Sequence, residues 1–193
     1  QCPDRGSTIN GIRTDLFAST SQLIVDLVYE HFNSDPGNAF FMASNNMLCT
    51  KQQFIALGGF DADFPRAGGE DRDFCDRWRS RQWPIIWEKS AQIKHYHRQT
   101  LRKFVDLHAR YGRGAFIYQS KRRLRNSGSM RQDIGFHKTF TARLQKHLRE
   151  HPLDHPRHAI TLALLIWQAA NLLGFIQEGI KRSMCKRLRT DQL

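Results

Sequence analysis

Residues 159–180 are the most apolar stretch of the chain and set the first limit on what it can fold into. Leu162, Leu164, Leu165, Ile166, Trp167, Leu172, Leu173, Phe175 and Ile176 all fall within it. A run this long exceeds a strand and reads as a helix. A membrane-spanning helix takes about 20 mostly apolar residues. The run is just long enough, but Gln168, Asn171, Gln177 and Glu178 interrupt it. Three readings stay open: a span, an interfacial helix flanked by Lys and Arg, and a helix packed on its own chain or on another part of a longer protein.

Charge is placed as unevenly as hydrophobicity. Residues 1–120 hold 15 Lys+Arg against 13 Asp+Glu, whereas residues 121–193 hold 15 against 5. The net charge of +12 is therefore mostly that of the tail, at +10. A basic tail attracts phosphate in nucleic acid, anionic lipid or a polyanionic partner, or is simply a solvated face. No helix-turn-helix, zinc-finger or RNP pattern is present, which argues against nucleic acid. The hydrophobic share of 40% and charged share of 25% fit a globular protein. Cys2, Cys49, Cys75 and Cys185 make no C-x-x-C pair. They read as isolated thiols in a reducing compartment, with Cys49 and Cys75 as small buried hydrophobes. The chain opens on Gln1 without a signal-peptide pattern, and the expectation is a start in mid-sequence.

Helical spacing of Leu23, Ile24, Leu27, Val28 and Phe32 predicts an amphipathic helix over 21–32. A turn cluster at 33–38 precedes a short apolar run at 39–43, read as a buried strand. Thr50 caps a short helix, with Gln53 completing a capping box and Gly58-Gly59 ending it. A second helix is expected over 70–81, with Phe74 and Trp78 on its inner face. Residues 84–87 and 91–94 read as short strands. A long helix begins near Thr100 and carries Leu101, Phe104, Val105, His108 and Tyr111 on one stripe; Gly112 and Gly114 are expected to loosen it. Residues 126–129 read as a linker, 136–150 as a basic helix, and the two prolines within 151–158 as its end.

The densest chemistry lies in Gly58-Gly59-Phe60-Asp61-Ala62-Asp63-Phe64 and Gly68-Gly69-Glu70-Asp71-Arg72-Asp73-Phe74. Glycine pairs let backbone approach a ligand closely. Adjacent carboxylates then fall where a helix begins, and its free N–H groups and dipole favour their ionised form. Such a carboxylate is a usable general base for a hydroxyl. Glu70 and Asp71 also suit a plain first helical turn.

The ordered set Ser44-Asn45-Asn46, Gly58-Gly59-Phe60-Asp61, Gly68-Gly69-Glu70-Asp71 with Asp73-Phe74, Arg77 and His95-Tyr96-His97 resembles the family 2 glycosyltransferases of the GT-A fold. Tyr111-Gly112-Arg113-Gly114 is similar to a tyrosine-glycine element that often follows. The resemblance covers residues 35–120. It implies Asp71 as the base that deprotonates an acceptor hydroxyl, with Glu70 holding acceptor or orienting Asp71. Attack on the anomeric carbon then proceeds with inversion. Asn45, Asn46, Gly69 and Arg77 would line the substrate site, though Arg77 also suits pairing with a carboxylate of its own helix. His95, with His97 as the alternative, would approach a divalent metal (Mg or Mn) and the diphosphate.

The family carries its nucleotide site and metal-binding D-x-D in an N-terminal half that is not recognisable here. Asp61-Ala62-Asp63 spells D-x-D but sits in a loop, as ordinary turn acids. The expected fold is therefore α/β, a partial GT-A domain over 1–120 lacking its nucleotide-binding half, followed by a basic helical tail over 121–193. Such a piece is expected to be inactive alone. The implied partners are a nucleotide-sugar donor and a glycan or lipid-linked hydroxyl acceptor, with an anionic membrane surface as a further candidate. The implied location is cytoplasmic, peripheral at the inner face of the membrane. The alternatives are a noncatalytic basic module acting through 121–193 and a scaffold that has lost catalysis.

Overall fold

The structure, a computed structural model, describes residues 15–65, 67–93, 98–128, 130–151 and 155–190, with backbone alone at 131–133, 186, 189 and 190. Among them are six α-helices: α1 Leu16–Phe32, α2 Lys51–Leu57, α3 Glu70–Ser80, α4 Leu101–Arg125, α5 Met130–Glu150 and α6 Arg157–Thr190. No β-strand occurs among the described residues, so the expected α/β, partial GT-A architecture is overturned and the fold is all-helical.

The reason lies in where the backbone groups of 39–43 go. The Asn33 side chain accepts from Phe40 N–H at 2.8 Å and Phe41 N–H at 3.2 Å, and donates to the Phe41 carbonyl at 2.9 Å. Met42 N–H donates to Cys75 Sγ, and Ala43 N–H to Tyr29 Oη. Among the described residues two backbone bonds tie this region to 84–87, from Ala39 N–H to the Ile85 carbonyl and from Trp87 N–H to the Pro36 carbonyl, both 2.8 Å. The 3₁₀ turn Pro36–Asn38 lies between them and breaks any ladder. The stretch expected at 91–94 turns back instead, with Ala91 and Gln92 N–H bonded to the Glu88 and Ser90 carbonyls; Lys94 is outside the described residues.

Two caps fix the starts of α1 and α4 beside each other. Asp15 Oδ1 accepts from Ala18 N–H at 2.8 Å while Oδ2 accepts from Gln99 N–H at 2.9 Å. Thr100 Oγ1 caps α4 through Lys103 N–H. The helices then run parallel, with Phe17 against Phe104 at 5.3 Å. α5 packs against the C-terminal part of α1, with Phe136 against His31 and His147 Nδ1 3.0 Å from Glu30 Oε1. α6 runs parallel to α4, with Trp167 beside His108 and Phe175 beside Phe116. Leu23, Ile24, Leu27, Phe104, Phe136, Ile160, Leu164 and Trp167 close the main core. That core joins residues on both sides of position 120, which itself falls inside α4.

The glycines of α4 do not loosen it. The helix is unbroken from Leu101 to Arg125. A Cβ at Gly112 would lie 2.0 Å from the Asn171 carbonyl oxygen, and one at Gly174 of α6 2.0 Å from the Ala109 carbonyl oxygen. The missing side chains let α4 and α6 touch backbone to backbone. A second core, Phe41, Phe74 and Cys75 with Phe54, Leu57 and Trp78 around it, seats α2 and α3. The Arg72 guanidinium lies 4.9 Å from both the Phe32 and Phe41 rings and 5.8 Å from that of Tyr118, linking α3 to α1 and α4.

Candidate functional site

The two glycine pairs act as local punctuation first. Thr50 caps α2 through Gln53 N–H, and Gly58 and Gly59 end it at φ 83° and 66°. Two side chains pin the following loop. Arg77 donates to the Leu57 and Gly59 carbonyls at 2.7 Å each, and pairs through Nε with Asp73 at 2.8 Å. Lys121 of α4 reaches Asp61 at 2.6 Å and Asp63 at 2.8 Å. Burial raises the Asp61 pKa, but Lys121 and the Asp63 N–H outweigh it and the net shift is downward. The D-x-D thus turns both carboxylates onto a lysine.

Gly68 and Gly69 bring the chain into α3 at φ 151° and 97°, a region that disfavours side chains. They press on α4 where a Cβ at Gly114 would sit 1.5 Å from the Gly68 carbonyl oxygen. The same loop lies against the Tyr111 ring, 3.2 Å from where a Gly68 Cβ would be. Glu70 folds back to accept from Gly68 N–H. It holds the turn that aims Asp71.

Asp71 is half-buried at the start of α3. Its Oδ1 accepts from Arg72 N–H at 2.8 Å. Among the described residues it forms no salt bridge. Burial raises its pKa; the Arg72 N–H and charge and the Ser44 N–H oppose this, and Glu70 adds to it. Ser44 heads the 3₁₀ turn Ser44–Asn46, so the carboxylate adjoins the segment that holds Asn45 and Asn46. Asn45 is exposed, and Asn46 Nδ2 donates to the Ala91 carbonyl at 2.8 Å. Tyr29 and Tyr111 sit close enough that the Asp71 charge, after burial, raises both phenol pKa values. Cys75 is pushed to about 12, by burial first and by Asp71 as well, which makes it an inert thiol.

Beneath α3, Asp73 is fully buried and receives Arg77 and Arg125, each at 2.8 Å. Asp76 accepts from Arg125 at 2.8 Å and from Ser127 at 2.6 Å. The acids of α3 therefore divide: Asp73 and Asp76 anchor the helix, and Asp71 is left to face the Ser44 turn. His95 and His97 lie outside the described residues. Among those described, no cluster of three His, Cys, Asp or Glu could hold a metal ion.

Sequence reasoning did not single out Tyr29, Asn33 or Lys121. Each acts across a gap of at least 7 residues in the chain, and no local motif marks such pairs. The two-residue spacing of Gly112 and Gly114 just after Tyr111 was the one signal within reach, since glycines inside a helix mark close packing.

Residues 28–99 match the family described as the N-terminal domain of galactosyltransferase. This makes the stretch a glycosyltransferase-related domain; it does not single out family 2 or the GT-A fold, to which the motifs had pointed. No curated protein and no solved structure gives a significant match. Every residue proposed from sequence for the site, from Asn45 to His97, lies inside the matched span.

Proposed function

We propose that this chain supplies the acceptor side and the catalytic base of a transferase that moves a sugar from a nucleotide donor to a hydroxyl. The reading rests on one observation above all: of the two α3 acids that form no ion pair among the described residues, Glu70 is turned back onto Gly68 N–H, whereas Asp71 abuts the Ser44–Asn46 turn. A carboxylate with a raised pKa is a stronger base toward an alcohol.

In the reaction, Asp71 takes the acceptor hydroxyl proton as the oxygen attacks the anomeric carbon. The bond from that carbon to the diphosphate oxygen breaks, and its electron pair leaves with the nucleoside diphosphate. A single displacement inverts the anomeric centre. Glu70 holds the Gly68-Gly69 turn and so orients Asp71. Asn45 and Asn46 carry amides suited to sugar hydroxyls. Arg77 acts on the site through the loop it clamps. His95, or His97 as the alternative, would with ligands beyond the described residues hold a divalent cation, which would supply positive charge for the leaving diphosphate. The family description makes a galactosyl donor the first to test, with glycan or lipid-linked alcohols as acceptors.

The test is Asp71→Asn in the full-length protein, with transfer and donor binding measured separately. Transfer is expected to fall at least about 100-fold while donor binding persists, the range for loss of a general base. Near-normal turnover by the variant removes Asp71 from the mechanism.

A further inference from the structure

Helix α6 shows two faces that its packing separates cleanly. Ala163, Leu164, Trp167 and Ala170 are buried against the bundle, and Gly174 and Glu178 continue that inner face. On the opposite side Leu162, Leu165, Leu172, Leu173, Ile176, Ile180, Met184 and Leu188 are all exposed, between 46% and 64%. At 3.6 residues per turn these positions all fall on one side of the helix. The stripe runs from residue 162 to residue 188, or about 39 Å of helix at 1.5 Å per residue. A continuous exposed apolar face of this size marks an interaction surface.

Charge identifies the occupant. Both ends of α6 are basic: Arg157 and His158 at one end, and Lys181, Arg182, Lys186, Arg187 and Arg189 at the other. Its single acid, Glu178, is buried and paired with Arg182 at 2.7 Å. A second copy laid along the stripe, parallel or antiparallel, sets cation against cation at each end. A shallow groove at the basic end combines Ile176, Ile180 and Met184 with Arg187, placing apolar and cationic groups side by side. The helix is long and apolar enough to cross a membrane, but its neighbour opposes a span: α4, packed along it, would bring Arg102, Lys103, Asp106, Arg110 and Arg113 into hydrocarbon.

We infer that α6 lies flat on an anionic lipid surface, its stripe in the headgroup–acyl boundary and its basic ends on lipid phosphates. Such helices bind by apolar burial together with electrostatic attraction to anionic headgroups.

The full-length protein is floated with vesicles of phosphatidylcholine alone and of phosphatidylcholine mixed with phosphatidylglycerol. Binding is expected to the mixed vesicles at low salt, at least about tenfold weaker to the neutral ones, and reduced by added salt. Leu172→Ser with Leu173→Ser and Ile176→Ser, and separately Lys181→Glu with Arg187→Glu, should each weaken binding at least about tenfold with unchanged far-ultraviolet circular dichroism. These positions are on the surface, so a fold lost in one set leaves the other as the test. Three outcomes overturn the inference: no binding to mixed vesicles at low salt, retention that only detergent reverses, or a stable dimer in light scattering that the serine variants dissociate while vesicle binding is nil.

Discussion

At the residue scale, environment assigns different work to side chains of one type. Asp73 and Asp76 are ringed by Arg77, Arg125 and Ser127, whereas Asp71 meets backbone N–H groups and two tyrosines. Because its pKa is raised by burial, the ionised base should be lost on acidification at a pH above the usual aspartate value. The acid limb of the kcat/KM profile is expected there, and it should vanish from the residual activity of Asp71→Asn. His108 shows the opposite shift. It is 2% exposed, its Nε2 lies 3.5 Å from Ser21 Oγ, and that hydroxyl donates to Gln99 Oε1 at 2.7 Å. Burial lowers its pKa to about 4. The folded state then binds fewer protons than the unfolded one between about pH 4 and 6.5, so stability is full above that window and declines as pH falls through it. The contribution lost between pH 7.5 and pH 5 is about 2 kcal/mol. Urea denaturation at the two pH values should show it, and His108→Gln should remove that part of the pH dependence. His108 was legible as a stripe residue of α4; its neutral state was not, because burial by Trp167 and Phe104 comes from two different helices.

At the element scale, local signals held wherever a bond closes within a few residues. Thr50 with Gln53, the glycines ending α2, the start of α4 after Thr100 and the break between α5 and α6 all stand as read. The extended runs did not. Short apolar stretches look like strands, but pairing depends on what lies alongside, and here Asn33, Tyr29 and Cys75 take the hydrogen bonds first. Glycine inside a helix was similarly opaque, since its meaning depends on the neighbour. Gly114→Ala should destabilise the protein by about 1–3 kcal/mol, through a forced shift of the Gly68 carbonyl, and should lower kcat by moving the turn that carries Glu70 and Asp71. Gly135→Ala is the control: a Cβ there meets nothing within 4 Å, so a gain of about 0.5–1 kcal/mol is expected from helix propensity. Thermal melts of the two variants compare them directly.

At the scale of the whole molecule, α6 does two jobs with two faces. Its inner face completes a core begun by α1 and α4, so a chain ending at residue 151 leaves Leu23, Leu27 and Phe104 without their cover. That truncation should lose the cooperative thermal transition of the full chain and bind a hydrophobic dye. Sequence alone determined the helices of the basic half, the Thr50 cap and the order of motifs at 44–46, 58–61 and 68–74, because each is written in residues close in the chain; it also named Asp71 as the candidate base. Tertiary structure alone decided that no sheet forms among the described residues, that Gly112, Gly114 and Gly174 are contact points, that Arg77 and Lys121 hold the loop, and which face of α6 is left bare. Those outcomes depend on which distant groups reach a hydrogen bond or a close contact first, and a linear pattern carries no distances between helices.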